Sequence, residues 1–311
     1  MARTVRREKG HNMTRNSMFR LRALRWPLTG MAIACVAVLT MTSLASAESR
    51  SATNTAQTKP TIVLVHGGWA DGSSWSGVIA RLQAKGYTVD APPNPLRSLA
   101  GDSAYLASYL KTIAGPIVLV GHSYGGAVIT NAATGNADVR ALAYIDAFAP
   151  AQGESLQQLT FAKPGSCLTG GGDLSNVFNF VVDPSQPTGD PDLYLKVAPG
   201  TDYLGFARCF ANEVPAKQVA VLAAVQRPFA LGAFTEPSAA PAWTTIPSWA
   251  LIGRHDRAIP PAELTFMAKR AGAHIESVDG GHLSLISDPS DTARLIVRAA
   301  NATSQERGHE H

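Results

Sequence analysis

The 311-residue sequence predicts an α/β fold, with a mostly parallel sheet of about six strands, helices on both faces and a cap inserted between strands four and five. Three observations carry this. Short continuous apolar runs alternate with stretches of helical period, the pattern of strands buried on both faces and joined by helical crossovers. Gly121-His122-Ser123-Tyr124-Gly125 stands between one such run and a helix. Residues 150–245 then break the rhythm with ten of the chain's 20 prolines.

Taken in order, Thr61–Val65 (TIVLV) is the first strand. Trp75–Lys85 has helical spacing and stops at Gly86. Tyr87–Ala91 is the second strand, closed by Pro92-Pro93. Ser103–Ala114 is helical and breaks at Gly115-Pro116. Ile117–Val120 is the third strand, and Ala127–Ala133 begins the helix after it. Val139–Ile145 is the fourth strand, Ile246–Ile252 the fifth and His274–Val278 the sixth. Helices fit Pro261–Ala271 and Ser290–Ala300. Within 150–245 only Pro215–Gln226 reads as a clear helix, so this stretch is expected to be an irregular cap over the sheet edge where ligands bind.

The charge is divided along the chain. Residues 1–47 hold eight of the 27 Lys and Arg and one acid, for +7; residues 48–311 have 19 bases and 22 acids, for −3. A nucleic-acid footprint needs basic charge on the folded domain, so no nucleic-acid partner is expected. Bases up to Arg25, an apolar run from Leu28 to about Thr42, and Ala45-Ser46-Ala47 make 1–47 a signal peptide, with cleavage after Ala47. Polar residues in the apolar run make it a poor membrane span, so no stable anchor is expected after cleavage. Residues 48–60 read as a linker and 61–311 as one domain in a secreted or extracytoplasmic protein. Cleavage removes Cys35 and leaves Cys167 and Cys209, an even pair that reads as one disulfide in an oxidising compartment.

The chemistry starts at Ser123. A Gly-x-Ser-x-Gly turn between a buried strand and a helix is a nucleophile elbow: Gly121 and Gly125 leave room for a tight turn that raises the serine at the helix N-terminus. There the helix dipole and free N–H groups favour developing negative charge. His66-Gly67-Gly68-Trp69 follows the first strand, so the N–H groups of Gly68 and Tyr124 are the expected oxyanion donors. His66 reads as a loop brace, and Trp69, Phe178 and Phe206 are candidate pocket walls.

A serine nucleophile needs a base. His11, His309 and His311 lie in the leader or the tail, His122 is expected to point away from the nucleophile, His255 neighbours a better acid candidate, and His274 opens a strand. His282, in Gly280-Gly281-His282 after the last strand, is the expected base. Asp256 closes the fifth strand and precedes His282, in the order Ser, Asp, His; Asp146, at the end of the fourth strand, is the rival acid.

These residues resemble the α/β-hydrolase superfamily from about Thr61 to Ala300. The similarity is nearest to the branch of plant methyl esterases, hydroxynitrile lyases and bacterial esterases. It rests on Val63–Trp69, Val118–Gly126, Gly253 with Asp256, and Gly280–His282. The resemblance implies an α/β-hydrolase fold, Ser123 as nucleophile, His282 as base, Asp256 as its partner, a small-molecule ester substrate and no cofactor or metal. Serine at 123 departs from relatives with aspartate or cysteine nucleophiles. Leu283 stands where hydroxynitrile lyases place lysine, which tilts the expectation toward ester hydrolysis. A C–C lyase, a cofactor-free perhydrolase resembling haloperoxidases and a non-catalytic binding protein on the same scaffold are the alternatives. The sequence leaves the oligomeric state open.

Overall fold

β-branched and leucine-rich runs form the sheet because both of their faces meet helices. A computed structural model describes residues 59–305 except 183, 185–188 and 198–204. The expected signal peptide over 1–47, residues 48–58 of the expected linker, and His309 and His311 lie outside the described residues.

The chain runs through β1 (Thr61–Val65), a 3-10 turn (Gly72–Trp75), α1 (Ser76–Ala84), β2 (Val89–Asp90), α2 (Leu99–Leu110), β3 (Ile117–His122), α3 (Tyr124–Ala132) and β4 (Val139–Ile145). The insertion follows, with α4 (Leu156–Ala162), β5 (Phe178–Val182), β6 (Pro191–Leu195), a π-helical turn (Phe206–Phe210), α5 (Ala216–Ala224), β7 (Phe229–Ala230) and α6 (Leu231–Thr235). The chain then returns to the main sheet with β8 (Ser248–Gly253), α7 (Pro261–Arg270), β9 (His274–Val278), α8 (Ser284–Ser287) and α9 (Pro289–Gln305).

The main sheet has the order β2-β1-β3-β4-β8-β9, and all its pairs are parallel. The strand order reverses between β1 and β3. Loops leaving their carboxyl ends therefore splay apart, and ligands of open α/β sheets bind in that crevice. β3 is buried along its whole length, as its unbroken apolar run requires. Helix α1 packs with α9, and α2 with α3.

The insertion is more regular than its prolines imply. β5, β6 and β7 form a three-stranded antiparallel sheet that was not anticipated. Proline at the head of β6 hides it, and two-residue β7 is too short to give a period. Ser155 and Gln158 form a capping box on α4, and α5 and α6 flank β7. In the main body the second strand shrinks to Val89–Asp90. The helix expected from Ser103 begins at Leu99, where the Ser98 hydroxyl accepts the Gly101 N–H.

Cys167 and Cys209 are bonded, joining the turn after α4 to the π-helical turn across 42 residues. The Cys167 N–H also donates to the Arg257 carbonyl at 2.8 Å, and the Ser166 hydroxyl donates to that of Ala258 at 2.6 Å. The bridge thus connects the loop around Asp256 to the segment carrying Phe210. Replacing both cysteines by serine is expected to lower stability by about 2–5 kcal/mol, read as a fall in Tm by calorimetry without reductant. An unchanged Tm would remove the bridge from the account of stability.

Candidate active site

Ser123, Gly67 and Gly68 meet at the strand-order reversal. Ser123 has φ 51° and ψ −123°, a conformation that costs a side-chain-bearing residue strain. Tight packing of the turn onto β1 sustains it. A Cβ on Gly125 would strike the carbonyl oxygens at the end of β1, and one on Gly67 would come within 2.7 Å of the Ser123 Cβ. The Ser123 carbonyl accepts the N–H groups of Gly126 at 2.9 Å and Phe148 at 3.2 Å. Tyr124, the first residue of α3, has an N–H with no intrahelical acceptor. Its hydroxyl donates to the buried Asp102 carboxylate at 2.7 Å, fixing the residue.

The loop after β9 brings His282 over this turn. The Ser123 Oγ lies 3.0 Å from His282 Nε2, and His282 Nδ1 lies 2.7 Å from Asp256 Oδ2. An ionised carboxylate only accepts, so the proton sits on Nδ1 and Nε2 is free to take the serine proton. Asp256 Oδ1 accepts the N–H groups of Ala258 and Ile259, both at 2.8 Å. All three side chains are buried. Burial holds His282 below the ordinary histidine value, hence neutral. Burial also pushes the Asp256 carboxyl up, while the Ile259 and Ala258 N–H groups pull it back.

Asp146 does not reach His282. Its carboxylate accepts the Gly253 N–H at 2.6 Å and both the N–H and hydroxyl of Ser284, so it ties the end of β8 to the start of α8. Burial, and then the nearby charge of Asp256, raise its pKa. His122 does not turn away from the site. Its Nε2 donates to the His282 carbonyl at 2.9 Å, with the two rings 4.9 Å apart. Burial and the neighbouring His282 keep it neutral. His66 braces the first loop, its Nε2 accepting the Asn94 N–H at 3.0 Å and its Nδ1 donating to the Gly67 carbonyl. His255 is half exposed beside Glu213 and Asp279, and His274 stacks on Trp249.

Aromatic rings surround the loop after β1. Trp69 and Phe206 line a small cavity with Phe210 and Leu283. Phe178 does not line it but stacks behind Trp69, with ring centroids 5.5 Å apart. Phe210, one of the cap aromatics that the sequence offers as pocket walls, places its ring 5.2 Å from that of His282. Among the described residues no group of three or more His, Cys, Asp or Glu is placed to hold a metal ion, and no helix is long and apolar enough to cross a membrane.

Residues 62–295 match the sequence model of the alpha/beta hydrolase family. A carbendazim hydrolyzing esterase from Nocardioides sp. (strain SG-4G) is 36% identical over 110 residues, spanning 31% of this chain and 46% of that protein. A pyrethroid hydrolase from Sphingobium faniae JZ-2 superposes with a TM-score of 0.62 at 23% identity, covering 80% of this chain and 100% of its own. An extracellular alpha/beta-hydrolase from a Paenibacillus species gives 0.59 at 23% identity, over 78% and 99%. At these identities the two structures speak for the fold.

Proposed function

The chain belongs to the alpha/beta hydrolase family, and on that premise we propose that it is an exported serine hydrolase that cleaves carboxylic esters. The observation that carries this reading is the hydrogen-bonded line from Ser123 through His282 to Asp256. Ser123 Oγ attacks the ester carbonyl carbon as its proton passes to His282 Nε2. The N–H groups of Gly68 and Tyr124 receive the oxyanion. His282 then gives its proton to the departing alcohol. In the second half it takes a proton from water, the hydroxide attacks the acyl-enzyme, and the acid leaves as Ser123 recovers its proton. Asp256 holds the imidazole tautomer and stabilises the imidazolium.

Esterase is the printed description of the Nocardioides relative, which supports the substrate class without extending to carbendazim. Leu283 beside His282 supports hydrolysis over cyanohydrin cleavage, since it supplies no cation for a departing cyanide. The basic leader and Ala45-Ser46-Ala47 support export; N-terminal sequencing of secreted protein is expected to begin at Glu48.

The testing experiment is labelling with a fluorophosphonate. The mature protein should be labelled, with His282→Ala abolishing the reaction; an unlabelled wild type would refute a serine hydrolase. The pH profile offers a further check. His282 acts as a base only when neutral, and burial shifts its titration below the ordinary 6.5. The acid limb of kcat/KM is therefore expected below pH 6.5, with activity retained above it. A limb at or above that value would contradict this environment for the base.

A further inference from the structure

The two expected oxyanion donors stand on different elements: Gly68 in the loop after β1, and Tyr124 at the start of α3. Such donors act only when both sit about 2.7–3.1 Å from the forming oxyanion, so their spacing has to be held. Trp69, the residue after Gly68, has φ 57°, a left-handed backbone that a bulky residue adopts only where its surroundings enforce it. All three strands of the cap sheet grip this residue. Phe178 of β5 stacks on the indole, the Leu193 carbonyl of β6 accepts the indole N–H at 2.8 Å, and Phe229 of β7 meets the ring at 5.2 Å. Leu193 and Phe229 are direct partners in the β6–β7 register.

Phe229 also reaches both donor residues. A Cβ on Gly68 would lie 3.3 Å from its Cγ, and its ring stands 5.0 Å from that of Tyr124. From Tyr124 a chain of polar contacts returns to the same sheet. The Tyr124 hydroxyl donates to Asp102, whose carboxylate also accepts the Arg97 N–H at 3.2 Å. The Arg97 guanidinium pairs at 2.5 Å with Asp192, the β6 residue before Leu193. The cap sheet is thus tied to Gly68 through Trp69, and to Tyr124 through Arg97 and Asp102, with the buried Phe229 ring packed against both residues.

Resting on the esterase reading above, we infer that the cap sheet sets the spacing of the two oxyanion donors, with Trp69 and Phe229 as its positioning residues. Trp69 serves the reaction by fixing the Gly68 N–H, and Phe229 by holding Gly68 and Tyr124 at one distance.

Two variants test this. Trp69→Phe keeps a ring and removes the indole N–H; Phe229→Leu keeps an apolar group and shortens the contact with Gly68 and Tyr124. Turnover of para-nitrophenyl acetate is expressed per active site, counted by fluorophosphonate labelling run to completion, so that a poorly folded fraction does not enter. In both variants kcat is expected to fall about ten- to hundredfold, with KM little changed. Trifluoroacetophenone supplies the second readout. Ser123 Oγ adds to its carbonyl carbon, the serine proton passes to His282, and the former carbonyl oxygen becomes an oxyanion facing the two N–H groups. Its Ki should rise by the factor by which kcat/KM falls, while the acid limb of the pH profile stays in place. A merely structural role would lower Tm and leave both the Ki and kcat per labelled site as they are. That outcome would overturn the inference, as would a displaced acid limb, which would put the fault at His282. Should Trp69→Phe fail to fold, Phe229→Leu carries the test. A labelled wild type whose variants keep kcat and Ki sinks the positioning role alone, whereas an unlabelled wild type sinks it together with the esterase.

Discussion

Ser123→Ala is expected to lower kcat by roughly 10⁴- to 10⁶-fold and abolish fluorophosphonate labelling, while leaving the fold intact. The size follows from the chemistry. In the proposed mechanism the side-chain oxygen is the atom that bonds the acyl group, and among the described residues no other hydroxyl hydrogen-bonds His282 Nε2. The remaining rate would come from water activated by His282 and from the oxyanion donors. The change removes one small oxygen and keeps the Cβ, so the carbonyl of residue 123 still accepts from Gly126 and Phe148. Single-turnover kinetics with a para-nitrophenyl ester, beside a thermal melt, would check it. A variant that retains most of its burst would place the nucleophile elsewhere.

The second large effect is expected from Asp256→Asn. An amide at this position can offer an N–H to His282 Nδ1. The imidazole would then keep its proton on Nε2, facing Ser123 with a donor where an acceptor is needed. A fall in kcat of roughly 10⁴-fold follows, with KM little changed. Asp146→Asn is the control. Its carboxylate contacts Gly253 and Ser284 and makes no contact with the imidazole, so its loss should appear mainly as a lower Tm, with kcat reduced far less. Measuring both constants and both melts for the two variants decides the matter: a greater loss of kcat in Asp146→Asn would reverse the assignment of the two carboxylates.

The contrast between these two aspartates marks how far the sequence can be read. Asp146 and Asp256 each close a buried strand of a parallel sheet, so periodicity brings both to the same edge. Only the loops decide which one faces His282. Asp256 turns inward because the N–H groups of Ala258 and Ile259 bind its other oxygen, a two- and three-residue return that apolar patterning does not register. The elbow around Ser123 was legible for the opposite reason: glycines, strand and helix all lie within a few residues. His122 shows the limit of such local reading. Its position in the turn was plain, but its bond to the His282 carbonyl joins residues 160 apart in sequence. The antiparallel cap sheet was hidden likewise, since its pairings cross segments that prolines make look irregular.

The backbone at Ser123 has one more consequence. Its φ of 51° with ψ of −123° is comfortable for glycine and uncomfortable for every residue with a Cβ. A directed-evolution campaign that rewarded heat resistance alone would drift toward glycine here and return a hardier, inert protein. Screens for durable variants of this chain must therefore score turnover in the same round, because at this position thermal endurance and reactivity pull against each other.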